Sequence, residues 1–266
     1  YEDGELTAPG LSSLVTVNLA AYYGAQLFFP NVTEFLHAGD WCWYQSLYAY
    51  GTDAENTPSL ISLPAVTQLD IAQGCSLQIS AQWGGRIELG ALEEVLFNPD
   101  SGGQADFYAQ GEGAVVSVPK ISAVEQWMTV LMEGGGEVVT GDLTRLEGNF
   151  YLGGALQLSF PEITSIMPPS LRTVRITEGA QLSLPNLQSA ANVSVEVRNN
   201  GVLDAPLLDS MGLADLYGSI AVWDNGAFNA PVASLRNIDL YAYNGGELIL
   251  PLLTAYAFDT TCYATM

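Results

Sequence analysis

Positive charge is scarce in this sequence. Seven Lys and Arg stand against 29 Asp and Glu, for a net charge of −22. The first basic residue is Arg86, Lys120 is the single lysine and His37 the single histidine. Nothing here could neutralise a run of phosphates, so a nucleic-acid partner is excluded. Insertion at an anionic membrane surface fails on the same ground. Three cysteines, Cys42, Cys75 and Cys262, are too few to build a disulfide scaffold. The one long uncharged stretch, Leu6 to Thr33, is interrupted by Pro9, Gly10, Asn18, Gln26 and Pro30, and alternates apolar with small polar residues. It reads as strand and turn rather than membrane helix. A basic leader segment is missing, and the first residue is Tyr1, which suggests a processed product or part of something longer.

What is present is apolar bulk and punctuation. Of 266 residues, 48% are hydrophobic, with 27 Gly and 13 Pro. That is enough material for a core divided by many turns. One phrase recurs along the chain: Gly, a small residue, alternating apolars, Pro or Gly, then an apolar-x-x-apolar step. It reads GAQLFFPNVTEF from Gly24, GALQLSFPEITSI from Gly154, GAQLSLPNLQSA from Gly179 and GELILPLLTAY from Gly246. The anchors fall at Pro9, Pro30, Pro64, Gly90, Pro119, Gly141, Pro161, Pro185, Pro206, Pro231 and Pro251, about 24 residues apart on average. A second alternating run follows each anchor step, as in NVSVEV (Asn192–Val197) and NIDLYAY (Asn237–Tyr243).

Two or three short strands per turn, with Gly at one corner and Pro at another, describe a parallel β-solenoid. Gly supplies positive φ where the chain reverses. Pro sits where its missing N–H breaks no ladder bond. A single turn cannot bury its inner face, whereas stacked turns make one continuous core. A leucine-rich horseshoe shares the LPxLxxL phrase, but turns of 20 residues leave no room for its helices. The expected fold is therefore all-β: a single parallel β-helix over 1–266, right-handed by the general preference of parallel crossovers, with about eleven coils of 20–25 residues. Residues 1–5 are expected to be disordered or a linker, and 40–58 and 98–112 insertion loops.

The phrase L-x-L-P-x-[LIV]-[TS]-x-[LIV], followed by a short alternating strand, resembles the β-helical repeats of secreted surface and adhesin-like proteins and of receptor L-domain-like modules. The resemblance spans nearly the whole chain and is generic. It implies an extracellular surface or adhesive role and brings no catalytic residue.

Parallel β-helices also house polysaccharide lyases and hydrolases, so chemistry has to be weighed. A lyase needs a base together with a cation over the sugar carboxylate, and the six arginines (86, 145, 172, 175, 198, 236) are scattered. Candidate carboxylate pairs arise by chance among 29 acids. No enzyme is expected; a polysaccharide-binding or -cleaving β-helix is the alternative. His37 is read as a packed corner histidine. Asp100 and Asp106 flank a Gly pair that could wrap Ca²⁺, but without the spacing of good calcium loops, so neither cofactor nor metal is expected.

Aligned on their alternation, the later coils stack Thr177, Arg198, Trp223 and Tyr243 in one outward column, beside Arg175, Glu196, Ala221 and Tyr241. Arg198, Trp223, Tyr241 and Tyr243 form a candidate ligand surface for a glycan or a protein, against the plainer reading of a stabilising cross-turn ladder. Two sequons mark Asn31 and Asn192 as candidate glycosylation sites. Cys42 and Cys75 fall 12 and 11 residues after successive anchors, close enough in register for a disulfide. The final coil, GELILPLLTAYAFDTTCYATM, is apolar throughout. Its partner is expected to be a further repeat of a longer chain or another copy, as in a filament.

Overall fold

The computed structural model describes residues 4–37, 45–72, 74–97, 103–212 and 218–258. They form a parallel β-solenoid of about ten turns, with no helix among the described residues. Each full turn contributes one strand to each of three parallel sheets. Contacts group the chain into two compact units, Tyr1–Ser122 with Trp127–Asp142, and Ala123–Gln126 with Leu143–Met266.

In the first unit, sheet one stacks Glu5–Thr7, Gln26–Phe28, Leu60–Ser62, Arg86–Glu88, Val115–Val118 and Glu137–Thr140. Sheet two stacks Ser13–Val15, Glu34–His37, Gln68–Ile71 and Glu94–Phe97. The third, or long, sheet stacks Leu19–Tyr22, Gln45–Tyr50, Ser76–Gln82, Gln104–Gln110 and Met128–Glu133. The second unit repeats the plan. Its long sheet runs Asn149–Leu152, Arg172–Ile176, Val193–Val197, Gly218–Trp223 and Ile238–Tyr243.

The anchors work as β-turns between sheets one and two. Leu63 accepts from the Val66 N–H, Leu184 from Leu187 and Ala205 from Leu208, which places Pro64, Pro185 and Pro206 second in their turns. Proline's fixed φ suits that position. The two apolar residues of the step both point inward: Leu63, Val66, Leu184, Leu187, Ala205 and Leu208 are all buried. Asn31 and Asn186, just after their prolines, donate to the carbonyls of Pro9 and Pro161 one turn back, at 2.8 and 2.9 Å.

Register carries identity through the core. Ala21, Ala49, Ala81 and Ala109 occupy one inward column of the first long sheet, and Leu47, Ile79, Phe107 and Val130 the next. All eight are buried. A fully buried side chain of Leu or Ile size stabilises by about 1.5–3 kcal/mol, so a one-residue slip would expose a whole column.

The glycine corners divide between two physical reasons. Gly24, Gly113 and Gly179 have φ of +89°, +75° and +79°, as expected. Gly85, Gly136, Gly201, Gly226 and Gly246 instead lie against the backbone of the preceding turn. A Cβ on Gly85 would sit 2.1 Å from the Ala49 carbonyl oxygen. Closeness of stacked turns, not chain reversal, requires those glycines.

The segments expected as insertion loops each contain a strand, Gln45–Tyr50 and Gln104–Gln110. Residues 51–58 supply a real excursion: Thr52 bridges Pro58, and Asp53 Oδ1 accepts from the Glu55 and Thr57 amides at 2.8 and 2.7 Å. Glu5, the last residue of the expected linker, begins a strand, since Glu5–Thr7 pairs with Gln26–Phe28. In the last described turn, Ile249, Leu252 and Tyr256 are exposed.

Candidate functional site

The long sheets are the longest strands of the fold, and their outward side chains form straight columns. In the second unit the register pairs Tyr151 with Arg175, Arg175 with Glu196, Glu196 with Ala221 and Ala221 with Tyr241. The next column places Trp223 beside Tyr243, with Arg198 one turn before. The four ligand candidates Arg198, Trp223, Tyr241 and Tyr243 are therefore contiguous. Tyr241 and Tyr243 are 38% and 56% exposed, and their rings stack at 6.0 Å with 17° between planes. Trp223 and Arg198 are half-buried.

Charge on this face is locally organised. Arg175 Nε donates to Glu196 Oε2 at 2.5 Å, and the guanidinium lies 5.0 Å from the Tyr151 ring centroid. The Asp239 carboxylate beside Tyr241 raises that phenol's pKa, and its hydroxyl donates to Asp239 Oδ2 at 3.4 Å. Arg198 makes no ion pair among the described residues, and its Nε is buried without an acceptor. A cation held beside an exposed aromatic pair suits a ligand with hydroxyl or carbonyl acceptors and an apolar face.

In the first unit the outward columns are also rich in aromatics: Tyr48 and Tyr50 stand out in the sequence within the expected insertion 40–58, whereas Tyr22, Tyr23, Trp83 and Tyr108 do not. One runs Ala20, Tyr48, Ser80, Tyr108; its neighbour runs Tyr22, Tyr50, Gln82, Gln110. Tyr22 meets Tyr48 at 5.6 Å, Tyr23 meets Tyr50 edge-on at 5.7 Å, and Tyr48 stacks on Tyr50 at 6.1 Å. The Tyr48 hydroxyl donates to Gln82 Oε1 at 3.1 Å. Burial, and then the neighbouring tyrosines, raise the Tyr48 pKa; burial and then Glu133 raise that of Tyr108. Beyond the strand ends stand Tyr23 and Trp83, both exposed. The missed signal was an aromatic immediately before the corner glycine, in YYG and WGG.

The remaining candidates are structural in their surroundings. His37 is fully buried in register with Ile71, its Nε2 3.2 Å from the Ser76 carbonyl oxygen. Asn192 is half-buried with φ +54° and donates to the Pro168 carbonyl at 2.9 Å, whereas Asn31 is exposed. Cys75 is fully buried and disulfide-bonded. Cys42 and Cys262 lie outside the described residues, as do Trp41, Trp43, Tyr44 and Asp100. Asp106 accepts from Gln104 Nε2 at 2.6 Å on the outward face. Among the described residues no group of three or more His, Cys, Asp or Glu could hold a metal ion.

No family model, no curated protein and no solved structure matches the chain.

Proposed function

We propose that this chain is a non-catalytic extracellular adhesive module whose contact surface is the outward face of its long sheets. The carrying observation is the register that turns single aromatics into exposed, contiguous rows, Tyr241 with Tyr243 beside Trp223 in the second unit. Sugar rings and protein partners both stack on such rows. Three of the seven cations are held in separate local pairs: Lys120 pairs with Glu93 at 2.7 Å, Arg145 with Glu125 and Arg175 with Glu196, in different turns. That distribution supports binding over chemistry, which needs convergent groups. The disulfide at Cys75 supports an oxidising compartment.

The test is a glycan array probed with wild-type protein and with Trp223→Ala and Tyr243→Ala. Loss of binding by about tenfold or more in either variant, with no polysaccharide fragment released, is the expected result. Equal binding by wild type and variants, or detectable cleavage products, contradicts the reading.

A further inference from the structure

In the first unit, five successive turns place Tyr23, Gly51, Trp83, Gly111 and Gly134 at the same corner, just past the end of the long sheet. The amides of the first four donate to the carbonyls of Tyr50, Gln82, Gln110 and Glu133 of the next turn. All five residues have positive φ: 50°, 76°, 49°, 85° and 57°. Glycine takes that conformation without cost, whereas a bulky aromatic is a true outlier there. Such strain persists only where the surroundings impose it, and it clusters at functional sites.

The surroundings here are the intervening glycines. A Cβ on Gly111 would come within 2.6 Å of Trp83 Cε3, and one on Gly51 within 3.3 Å of Tyr23 Cδ1. Each ring therefore lies down on the glycine of the following turn. Yet Tyr23 and Trp83 remain 50% and 56% exposed, and Tyr22 beside them 44%. The rings are fixed on one side and open on the other.

We propose that Tyr23 and Trp83, with Tyr22 beside Tyr23 and Tyr50 in the turn between, are a stacking platform for an extended neutral glycan. This rests on the reading of the outward face as a contact surface and names the ligand class for its first unit. Tyr23 and Trp83 stand two turns apart, about 9.6 Å at the usual strand spacing. That interval matches a disaccharide step in an extended chain, so alternate sugar rings can meet successive platforms. Charge selects the class. The five strands of this sheet carry no Lys or Arg, while Asp106 and Glu133 lie on it, and Asp53, Glu55 and Glu112 flank the corners. A uronate or sulfated glycan would meet repulsion with no cation to pair it. The Gln110 amide and the Tyr22 and Tyr50 hydroxyls supply the hydrogen-bonding groups that neutral sugars use. A single file of rings flanked by carboxylates suits a narrow chain better than the broad apolar centre of a protein interface.

The experiment is affinity electrophoresis in gels containing soluble β-glucan, xylan or glucomannan, with polygalacturonate as the acidic control. Tyr23→Gly and Trp83→Gly are the informative variants, because glycine already occupies this corner in neighbouring turns. Wild type should be retarded by at least one neutral glycan and not by polygalacturonate. Each glycine variant should weaken retardation tenfold or more while keeping the wild-type circular dichroism spectrum, and Trp83→Tyr should retain it. No retardation by any neutral glycan, retardation by polygalacturonate alone, or equal retardation of Trp83→Gly and wild type overturns the proposal. Those outcomes leave Trp223→Ala on the array unaffected, so the two readings fail separately.

Discussion

At the scale of single residues, the corners are where sequence and geometry bind each other most tightly. Gly90 and Gly141 both replace the anchor proline, yet they differ in their backbone bonds. Gly90 sits second in the turn closed by the Leu92 amide and the Leu89 carbonyl, with open space where a Cβ would go. Proline there should raise stability by about 0.4–1 kcal/mol through the unfolded chain. The Gly141 amide donates to Ile121 at 2.9 Å, and a Cβ would meet the Pro119 oxygen at 2.8 Å. Proline there removes that bond and has no room for its ring, so it should destabilise by more than about 1 kcal/mol. Urea denaturation of Gly90→Pro and Gly141→Pro should shift the midpoint in opposite directions; shifts of one sign would refute this view of the corners. His37 gives a second prediction. Its buried Nδ1 has no hydrogen-bond partner while Nε2 lies 3.2 Å from the Ser76 carbonyl oxygen, so His37→Leu relieves one orphaned nitrogen, loses one hydrogen bond, and should change stability by no more than about 1.5 kcal/mol and leave glycan binding unchanged. A large loss of either would give this histidine a role beyond packing.

At the scale of the element, one turn is a sentence with three strands, and its grammar was partly readable. The Pro-x-apolar step and the alternation after it were legible because each apolar residue of that phrase faces inward, Leu184, Leu187, Val195 and Val197 among them. The columns of Trp223 with Tyr243 and of Arg175 with Glu196 followed from the same alternation. Tyr48 and Tyr50 were read as loop because the residues preceding them break the repeat, although they end a regular strand. Trp83 and Tyr23 each stand just before a corner glycine, in WGG and YYG, but nothing in the sequence marks them as a pair. Only the stacking of turns brings them into one file.

The tyrosine cluster carries a pH prediction of its own. Burial and mutual repulsion raise the Tyr48 pKa, and burial with Glu133 raises that of Tyr108. The folded state thus favours the neutral phenols. Stability is fully present below about pH 10, the value for an unfolded chain, and is lost as pH rises through the raised folded values. Ultraviolet titration of phenolate should show a delayed class of tyrosines, and melting temperature should fall above pH 10. Simultaneous titration of all tyrosines, with no loss of stability, would contradict the cluster.

At the scale of the whole molecule, charge opposes what the core provides. The net −22 exerts self-repulsion that salt screens over a Debye length of about 8 Å at physiological ionic strength. The ion pairs are surface pairs: Lys120–Glu93 has side chains 50% and 59% exposed, a geometry worth about 0–1 kcal/mol. Screening should therefore relieve more repulsion than it removes attraction. The melting temperature should rise between low salt and about 0.5 M, and a fall would mean that the ion pairs matter more than the net charge.

The central claim is that the outward face of the long sheets meets the ligand while the other two sheets do not. Hydroxyl-radical footprinting of the chain bound to an insoluble neutral β-glucan, read residue by residue, tests it most directly. The account predicts protection of Tyr22, Tyr23 and Trp83, with Leu36 and Leu96 on sheet two and Phe28 on sheet one as reactive as in the free protein. Protection of Phe28, Leu36 and Leu96 with Tyr23 and Trp83 unprotected, or no bound protein at all, would contradict it.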